Sequence, residues 1–126
     1  MSRRRERIRL MELLYSMDML GEYSLRASDR EALNDYQILV VDTFILNRES
    51  VDLLITNTLK EWTIDRMAKV DLALIRLALT EINYIPDVPY KVAVNEVIEI
   101  AKLYGDDDAP KFINGFLKHF SNDSSI

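Results

Sequence analysis

Apolar residues recur at helical spacing along most of the chain, and this pattern predicts an all-helical protein. Residues 3–19 contain neither glycine nor proline. Their apolar positions follow one face of a helix: Ile8, Leu10, Met11, Leu13, Leu14 and Tyr15. Gly21 is expected to end this first helix, because glycine adopts the left-handed conformation that commonly follows a helix C-terminus.

Two further helices are predicted before the middle of the chain. Ser28 and Glu31 match the Ser-x-x-Glu capping box, and we expect a helix from there to about Asn47. Asn47 is a favourable N-cap for a third helix. The apolar positions of that helix keep an i, i+3, i+4, i+7 register: Val51, Leu54, Ile55, Thr58, Leu59 and Trp62. Residues 63–67 are typical of a cap followed by a short turn, so we expect a hinge there.

The second half of the chain predicts three more helices. Residues 69–84 are apolar on nearly all sides, which is typical of a helix at the centre of a globular protein. Pro89 is placed to open the next helix, and Gly105 is expected to end it. Asp108, with Pro110 just after it, is a suitable N-cap for the last helix. With no convincing strand, the predicted fold class is all-α, a bundle of about six helices joined by short loops.

Composition excludes several classes of function. The chain has 126 residues, no cysteine and a single histidine, His119. Disulfide scaffolds, thiolate zinc sites, cysteine nucleophiles and paired-histidine catalysis are therefore excluded. No glycine-rich phosphate loop, Gly-x-Ser-x-Gly elbow or His-Glu-x-x-His motif occurs, and residues 106–108 lack the ligand spacing of a calcium loop. We expect no enzyme, cofactor or metal, and no membrane association, since no apolar run could span a bilayer. The expected location is the cytoplasm.

Charge is distributed unevenly along the chain. The net charge is −5, yet residues 1–11 hold five arginines against Glu6, which makes this segment +4 and the remainder −9. A basic end on an acidic body attracts phosphates locally while the body repels them. Each cation at a helix N-terminus interacts unfavourably with the macrodipole and destabilises the helix by roughly 0.3–1 kcal/mol. Helix stability therefore does not explain these arginines. On charge alone, a solvated helix start without a binding role remains an alternative.

Four sequence segments together identify a family. They are RRRER at 3–7 followed by LY at 14–15, VDLALIRLA at 70–78 followed by Glu81, DVPYKVAVNE at 87–96 followed by EIAK at 99–102, and KFINGFL at 111–117. In this order, over residues 3–120, they resemble the NusB family of bacterial transcription antitermination factors. The resemblance implies one all-α domain, residues 1–126, built from two perpendicular three-helix bundles of about residues 3–62 and 63–121.

The same resemblance implies a function in the transcription of ribosomal RNA operons. Proteins of this family bind the boxA element of nascent RNA together with NusE, a small-subunit ribosomal protein. The pair then joins other Nus factors on RNA polymerase. Neither catalysis nor a cofactor is implied, and the expected state of the chain is a monomer or a weak homodimer.

The resemblance also assigns individual residues. The RNA-binding residues that it implies are Arg3, Arg4, Arg5, Arg7, Tyr15, Asp108, Lys111 and Phe112. The residues that it places at the NusE contact are Asp71, Lys102 and Tyr104. Guanidinium groups suit phosphate because they bind it bidentately, and an aromatic ring offers an unpaired base a stacking face. By their spacing alone, Tyr15 and Phe112 equally fit a place in the core.

Two positions depart from the family pattern. Ala109 stands where the family often has serine, and Phe116 where it often has a smaller residue. The missing hydroxyl of Ala109 is expected to affect capping or RNA contact near the second RNA-binding region.

Other functions remain as alternatives. The arginines would also suit a helical adaptor that docks on an acidic protein patch without binding RNA. An RNA-modifying enzyme is remote, because the chain lacks a glycine-rich cofactor loop. If the arginines serve RNA, replacing Arg4, Arg5 and Arg7 together with alanine is expected to lower RNA affinity. The melting temperature should then stay unchanged or rise slightly.

Overall fold

The structure, a computed structural model, describes residues 2–60 and 62–121. Over this part of the chain the fold is all-α, as predicted, with no strand. Its helices are α1 (Arg3–Leu20), α2 (Ala27–Glu31), α3 (Asp35–Thr58), α4 (Lys69–Tyr84), α5 (Tyr90–Tyr104) and α6 (Ala109–Leu117). Two short 3-10 turns accompany them, at Ile64–Arg66 and Lys118–Phe120.

Helix α4 forms the centre of the molecule, as its apolar character predicts. All of residues 71–81 are buried, and α4 packs against α1, α3, α5 and α6. Burying each leucine or isoleucine side chain contributes roughly 1.5–3 kcal/mol, so this helix supplies much of the hydrophobic stabilisation. The predicted hinge coincides with the turn Ile64–Arg66. Because α4 contacts helices from both halves, these halves share a core, and the division into bundles 3–62 and 63–121 stays a prediction.

The capping box predicted at Ser28 and Glu31 is wrong. Both residues lie within α2, which begins without a side-chain cap. The reciprocal box lies six residues later, at the start of α3. There the Gln37 backbone N–H donates to Asn34 Oδ1 at 2.9 Å, and the Asn34 backbone N–H donates to Gln37 Oε1 at 3.0 Å. Asparagine caps as well as serine, and glutamine can reach back as glutamate does.

The predicted break at Asn47 is confirmed as a kink where two helical segments of α3 meet, but the predicted N-cap role of Asn47 is wrong. Asn47 has φ −109° and ψ 15°, and its Nδ2 donates to the carbonyl of Thr43 at 2.9 Å. This bond satisfies a carbonyl of the segment before the kink, so the side chain does not cap the segment after it. Val51 and Ile55 are buried, as the apolar stripe predicts, but α3 ends at Thr58 and leaves Trp62 outside it.

The predictions that Gly21 ends the first helix and that Gly105 ends α5 are both confirmed. Gly21 follows α1 in the left-handed conformation, with φ 69°, and its N–H donates to the Asp18 carbonyl. Gly105 follows α5 where the chain passes close to α6. A Cβ atom at Gly105 would lie 2.6 Å from the Cβ of Ala109, so any larger residue would force the two segments apart.

Candidate nucleic-acid interface

The arginine-rich start forms the first turns of α1. Ser2 caps this helix, since its Oγ accepts a hydrogen bond from the Arg5 backbone N–H at 3.2 Å. Arg3, Arg4 and Arg5 are exposed. Three of the four arginines assigned to RNA therefore present their side chains to solvent at one end of the molecule.

Arg7 instead lies inside the molecule. Its guanidinium forms a two-point pair with Glu81 of α4, with N–O distances of 2.9 and 3.0 Å. The two side chains are only 4% and 0% exposed. The hydroxyl of Tyr36 donates to the same carboxylate. Burial and the negative charge of Glu81 raise the pKa of Tyr36, so this hydroxyl stays protonated. In this arrangement Arg7 ties α1 to α4, and its side chain also borders the groove beside Arg3 and Arg4.

The exposed arginines are partly neutralised by the protein's own carboxylates. Arg4 forms a two-point pair with Glu96 of α5, at 3.0 and 3.1 Å. This pairing lowers the pKa of the Glu96 carboxyl. Arg3 donates to Glu6 at 2.8 Å, and its guanidinium lies 3.8 Å from the ring centroid of Tyr36. Among the arginines of α1, only Arg5 has no ion pair with any residue of 2–60 or 62–121.

A groove opens beside these arginines. It has a volume of about 720 Å³, and its charged walls are three arginines, Arg3, Arg4 and Arg7, and two carboxylates, Asp87 and Glu96. The rest of the lining is mainly apolar and comes from α3, α5 and the loop before α5. The apolar residues lining it include Leu39, Ile85, Val88 and Val92. Cations at the mouth of an apolar groove suit a nucleotide, whose phosphate is charged and whose base is flat and weakly polar.

Tyr15, Asp71 and Tyr104 line a single cleft, although they are far apart in the sequence. Tyr15 is 37% exposed, so it does not take the core position that its spacing also allowed. Tyr104 is about half exposed, and it also lines a second hollow together with Arg5. The exposed face of α1 thus meets the C-terminal end of α5, and residues assigned to RNA and to NusE lie side by side.

Asp71 has an unusual environment in this cleft. It is buried, and its Oδ1 has no hydrogen-bond partner in the part of the chain that the structure describes. Burial, and the neighbouring charge of Asp106, raise the pKa of the Asp71 carboxyl. A buried acceptor without a partner costs free energy, and this oxygen lies too deep for a donor on another molecule to contact it directly. Lys102, the third residue assigned to NusE, lies outside the cleft lining and pairs with Glu99 at 2.7 Å.

The second predicted RNA region forms a separate groove. Asp108, Lys111 and Phe112 line it, and it shares no lining residue with the groove beside the arginines. Phe112 is half-buried and contacts two other rings: Trp62, with centroids 6.4 Å apart, and Phe116, at 6.0 Å. Phe112 therefore packs against other rings on one side and lines the groove on the other, which combines the core position and the exposed position expected from the sequence.

The two departures from the family pattern affect packing. Ala109 is 2% exposed and faces Gly105, so a hydroxyl at this position would not reach a ligand on the surface. Phe116 is also buried, and its ring stacks on Phe120 at 5.9 Å. Phe112 and Phe116 of α6 and Phe120 of the following turn thus form a continuous row of rings, and the first two line the groove.

A family model, related sequences and a solved structure all relate this chain to the NusB family. The model of the NusB family matches residues 4–122. The chain is 38% identical to the transcription antitermination protein NusB of Alkaliphilus oremlandii, with 93% of this chain and 91% of that protein covered. It is 39% identical to the NusB of Listeria welshimeri, with 96% and 97% covered. A solved structure of NusB from T. maritima superposes with a TM-score of 0.83 at 27% identity, covering 98% of this chain and 92% of that one. Within residues 2–60 and 62–121, none of the helices has the length and apolar character that a bilayer crossing requires.

Proposed function

Because this chain belongs to the NusB family, it is a transcription antitermination factor, and we propose that it binds boxA RNA on nascent ribosomal RNA transcripts together with NusE. Members of this family are regulators without catalytic activity, so the chain is not an enzyme. In the proposed complex the two proteins join other Nus factors on RNA polymerase in the bacterial cytoplasm. The chain enters this complex as a monomer, or after a weak homodimer dissociates.

The observation that carries the proposal is the exposed arginine cluster on an acidic molecule. Arg3, Arg4 and Arg5 lie together on the first turn of α1, while the chain as a whole has a net charge of −5. A phosphate is attracted to this end and repelled by the acidic parts of the surface. The groove beside the arginines and the groove lined by Phe112 provide apolar surfaces for bases. Arg7 contributes indirectly in this proposal, because it fixes α1 against α4.

The proposed NusE contact includes the cleft of Tyr15, Asp71 and Tyr104. A lysine or arginine of a basic ribosomal protein would pair with the Asp71 side chain, which lines the cleft. Such a pair forms in a buried setting, where a charged hydrogen bond is stronger than on the surface. Because Tyr104 also borders the hollow that contains Arg5, a basic partner seated here would extend the positive surface of α1.

A helical adaptor that binds only protein is the second candidate. In its favour, the Arg4 guanidinium donates two hydrogen bonds to the carboxylate of Glu96, and an acidic protein patch would offer the same group. Filter binding with single-stranded RNA separates the two functions directly. RNA retention supports the first proposal, and its absence with and without NusE supports the adaptor.

The salt dependence of RNA binding tests the shared positive surface. For the isolated protein we expect modest affinity and a shallow slope of log K against log salt, of about −1.5 to −2. Two or three bound phosphates, at about 0.7 counterions each, give that slope. With NusE present, affinity should rise and the slope should steepen. The measurement is fluorescence anisotropy of labelled boxA RNA between low and moderate salt. A steep slope for the lone protein, unaffected by NusE, contradicts the proposal.

Glu96 is expected to compete with RNA for Arg4. Replacing Glu96→Gln removes the carboxylate that occupies the guanidinium, and RNA affinity should rise about 3- to 10-fold, or roughly 0.6–1.4 kcal/mol. The matched control is Glu99→Gln on the same helix, which removes the same charge but releases Lys102. If both variants increase affinity equally, net charge alone is responsible and the competition does not exist.

A further inference from the structure

Trp62 is a large aromatic residue left on the surface between the two halves of the chain. It is 52% exposed and lies beyond the end of α3, in the segment that leads to α4. Its ring stacks on Phe112 of α6, with centroids 6.4 Å apart and an angle of 24° between planes. This spacing is normal for two rings in contact, so no ligand fits between them. The outward face of Trp62 is the accessible one.

The groove around these rings is basic. It has a volume of about 750 Å³, and its lining includes Lys60 beside Trp62 and Lys111 beside Phe112. Neither lysine forms an ion pair with another residue in the described ranges. Among the described residues, Asp108 is the one carboxylate in the lining, so their charged groups sum to a positive value. A positive groove is notable on a chain whose net charge is −5.

We propose that Trp62 and Phe112 form a stacking platform for an unpaired RNA base, with Lys60 and Lys111 neutralising the phosphates on either side. The proposal rests on the proposed RNA-binding function and extends it to Trp62 and Lys60, in the connector between α3 and α4. An exposed ring flanked by flexible cations is the combination that proteins use for single strands, because every base has a flat π-face. A protein helix docking here would need acidic residues placed opposite both lysines, whereas RNA carries a phosphate at every nucleotide.

Trp62 provides its own readout, because it is the single tryptophan of the chain. The unmodified protein is titrated with a boxA-containing oligoribonucleotide, and tryptophan emission is recorded together with the anisotropy of a label on the RNA. We expect saturable quenching with the same midpoint as the anisotropy change, since a stacked base quenches indole emission. An abasic oligonucleotide of equal length, which keeps the phosphates, should leave the emission nearly unchanged.

Substitutions test whether the ring itself contributes to affinity. Trp62→Leu should weaken RNA binding at least about fivefold, whereas Trp62→Phe should retain most of the affinity because stacking is preserved. The matched control is Leu46→Ala, which truncates another strongly exposed apolar residue, 84% exposed and on α3. It should leave RNA affinity unchanged. The wild-type titration needs no variant, so a Trp62 variant that fails to fold does not remove the test.

The outcomes separate this proposal from the function on which it rests. RNA binding seen by anisotropy without a change in Trp62 emission overturns the platform and leaves the proposed function intact. Equal quenching by abasic and ordinary oligonucleotides also overturns it, because phosphates alone would then cause the signal. A Trp62 response to a tryptophan-free NusE, with none to RNA, assigns the groove to protein and likewise overturns it. Loss of all RNA binding in both assays contradicts the proposed function itself.

Discussion

Replacing Arg7 with alanine is expected to lower the free energy of unfolding by about 3–5 kcal/mol. The substitution leaves the carboxylate of Glu81, which is 0% exposed, without its cationic partner in the core. Breaking a buried ion pair from one side costs this much because the remaining charge cannot be hydrated. Urea unfolding followed by far-ultraviolet circular dichroism measures the change. The control is Arg5→Ala, two residues earlier, which should change stability by less than about 0.5 kcal/mol.

A double variant shows how much of the lost stability comes from the unpaired charge of Glu81 and how much from lost packing. Arg7→Met with Glu81→Leu removes both charges and keeps apolar volume, so it should recover a large part of the loss. Full recovery is not expected, because the Tyr36 hydroxyl also donates to Glu81 and would lose its acceptor. If Arg7→Ala were as stable as Arg5→Ala, the pair with Glu81 would not hold α1 in place.

This pair also changes an expectation drawn from the sequence. The sequence alone predicts that replacing Arg4, Arg5 and Arg7 together leaves the melting temperature unchanged or slightly raised. Because Arg7 is buried against Glu81, we now expect this variant to be less stable. The variant would combine a surface effect with a core effect, and its RNA affinity would be uninterpretable. Arg3 is the appropriate third member, since its side chain is 53% exposed.

Helices were predictable from the sequence because their signals are local. The central position of α4 follows from its own apolar residues, and Gly21 ends α1 by its own conformational preference. The start of α3 was misplaced because two capping boxes, Ser28 with Glu31 and Asn34 with Gln37, compete within a few residues. Only the second forms both reciprocal hydrogen bonds. The packing of the loop decides which capping box forms, and the periodicity of apolar residues contains no information about that packing.

The binding surface was less predictable because it depends on contacts between distant residues. Arg3 and Arg7 occupy the same face of α1 one turn apart, and no local feature distinguishes them. Their difference comes from Glu81, 74 positions further along the chain, which buries one guanidinium and leaves the other exposed. Trp62 was missed for a similar reason. Its place in an apolar register favoured a core position, but α3 ends at Thr58, before the register reaches it.

Replacing Arg3, Arg4 and Arg5 together with alanine is expected to lower boxA RNA affinity about 30-fold or more. A hydrogen bond from a charged group contributes roughly 1.5–3 kcal/mol, and removing even one or two such bonds gives this factor. The free energy of unfolding should change by less than about 1 kcal/mol, because all three side chains are exposed and the pairs that they form lie at the surface. Anisotropy with labelled RNA gives the affinity, and urea unfolding gives the stability.

The control must remove the same charge elsewhere. Arg26, Arg30 and Arg66 are exposed and lie on or near α2 and in the turn before α4. Their replacement by alanine makes the net charge equally negative, so any general repulsion of RNA is matched. If affinity depends on the position of the guanidiniums, only the α1 variant binds RNA much more weakly. Its salt slope should then become shallower by about 0.7 for each phosphate that the variant no longer neutralises. Equal weakening in both variants, with parallel slopes, would mean that the total charge governs binding and that α1 holds no RNA site.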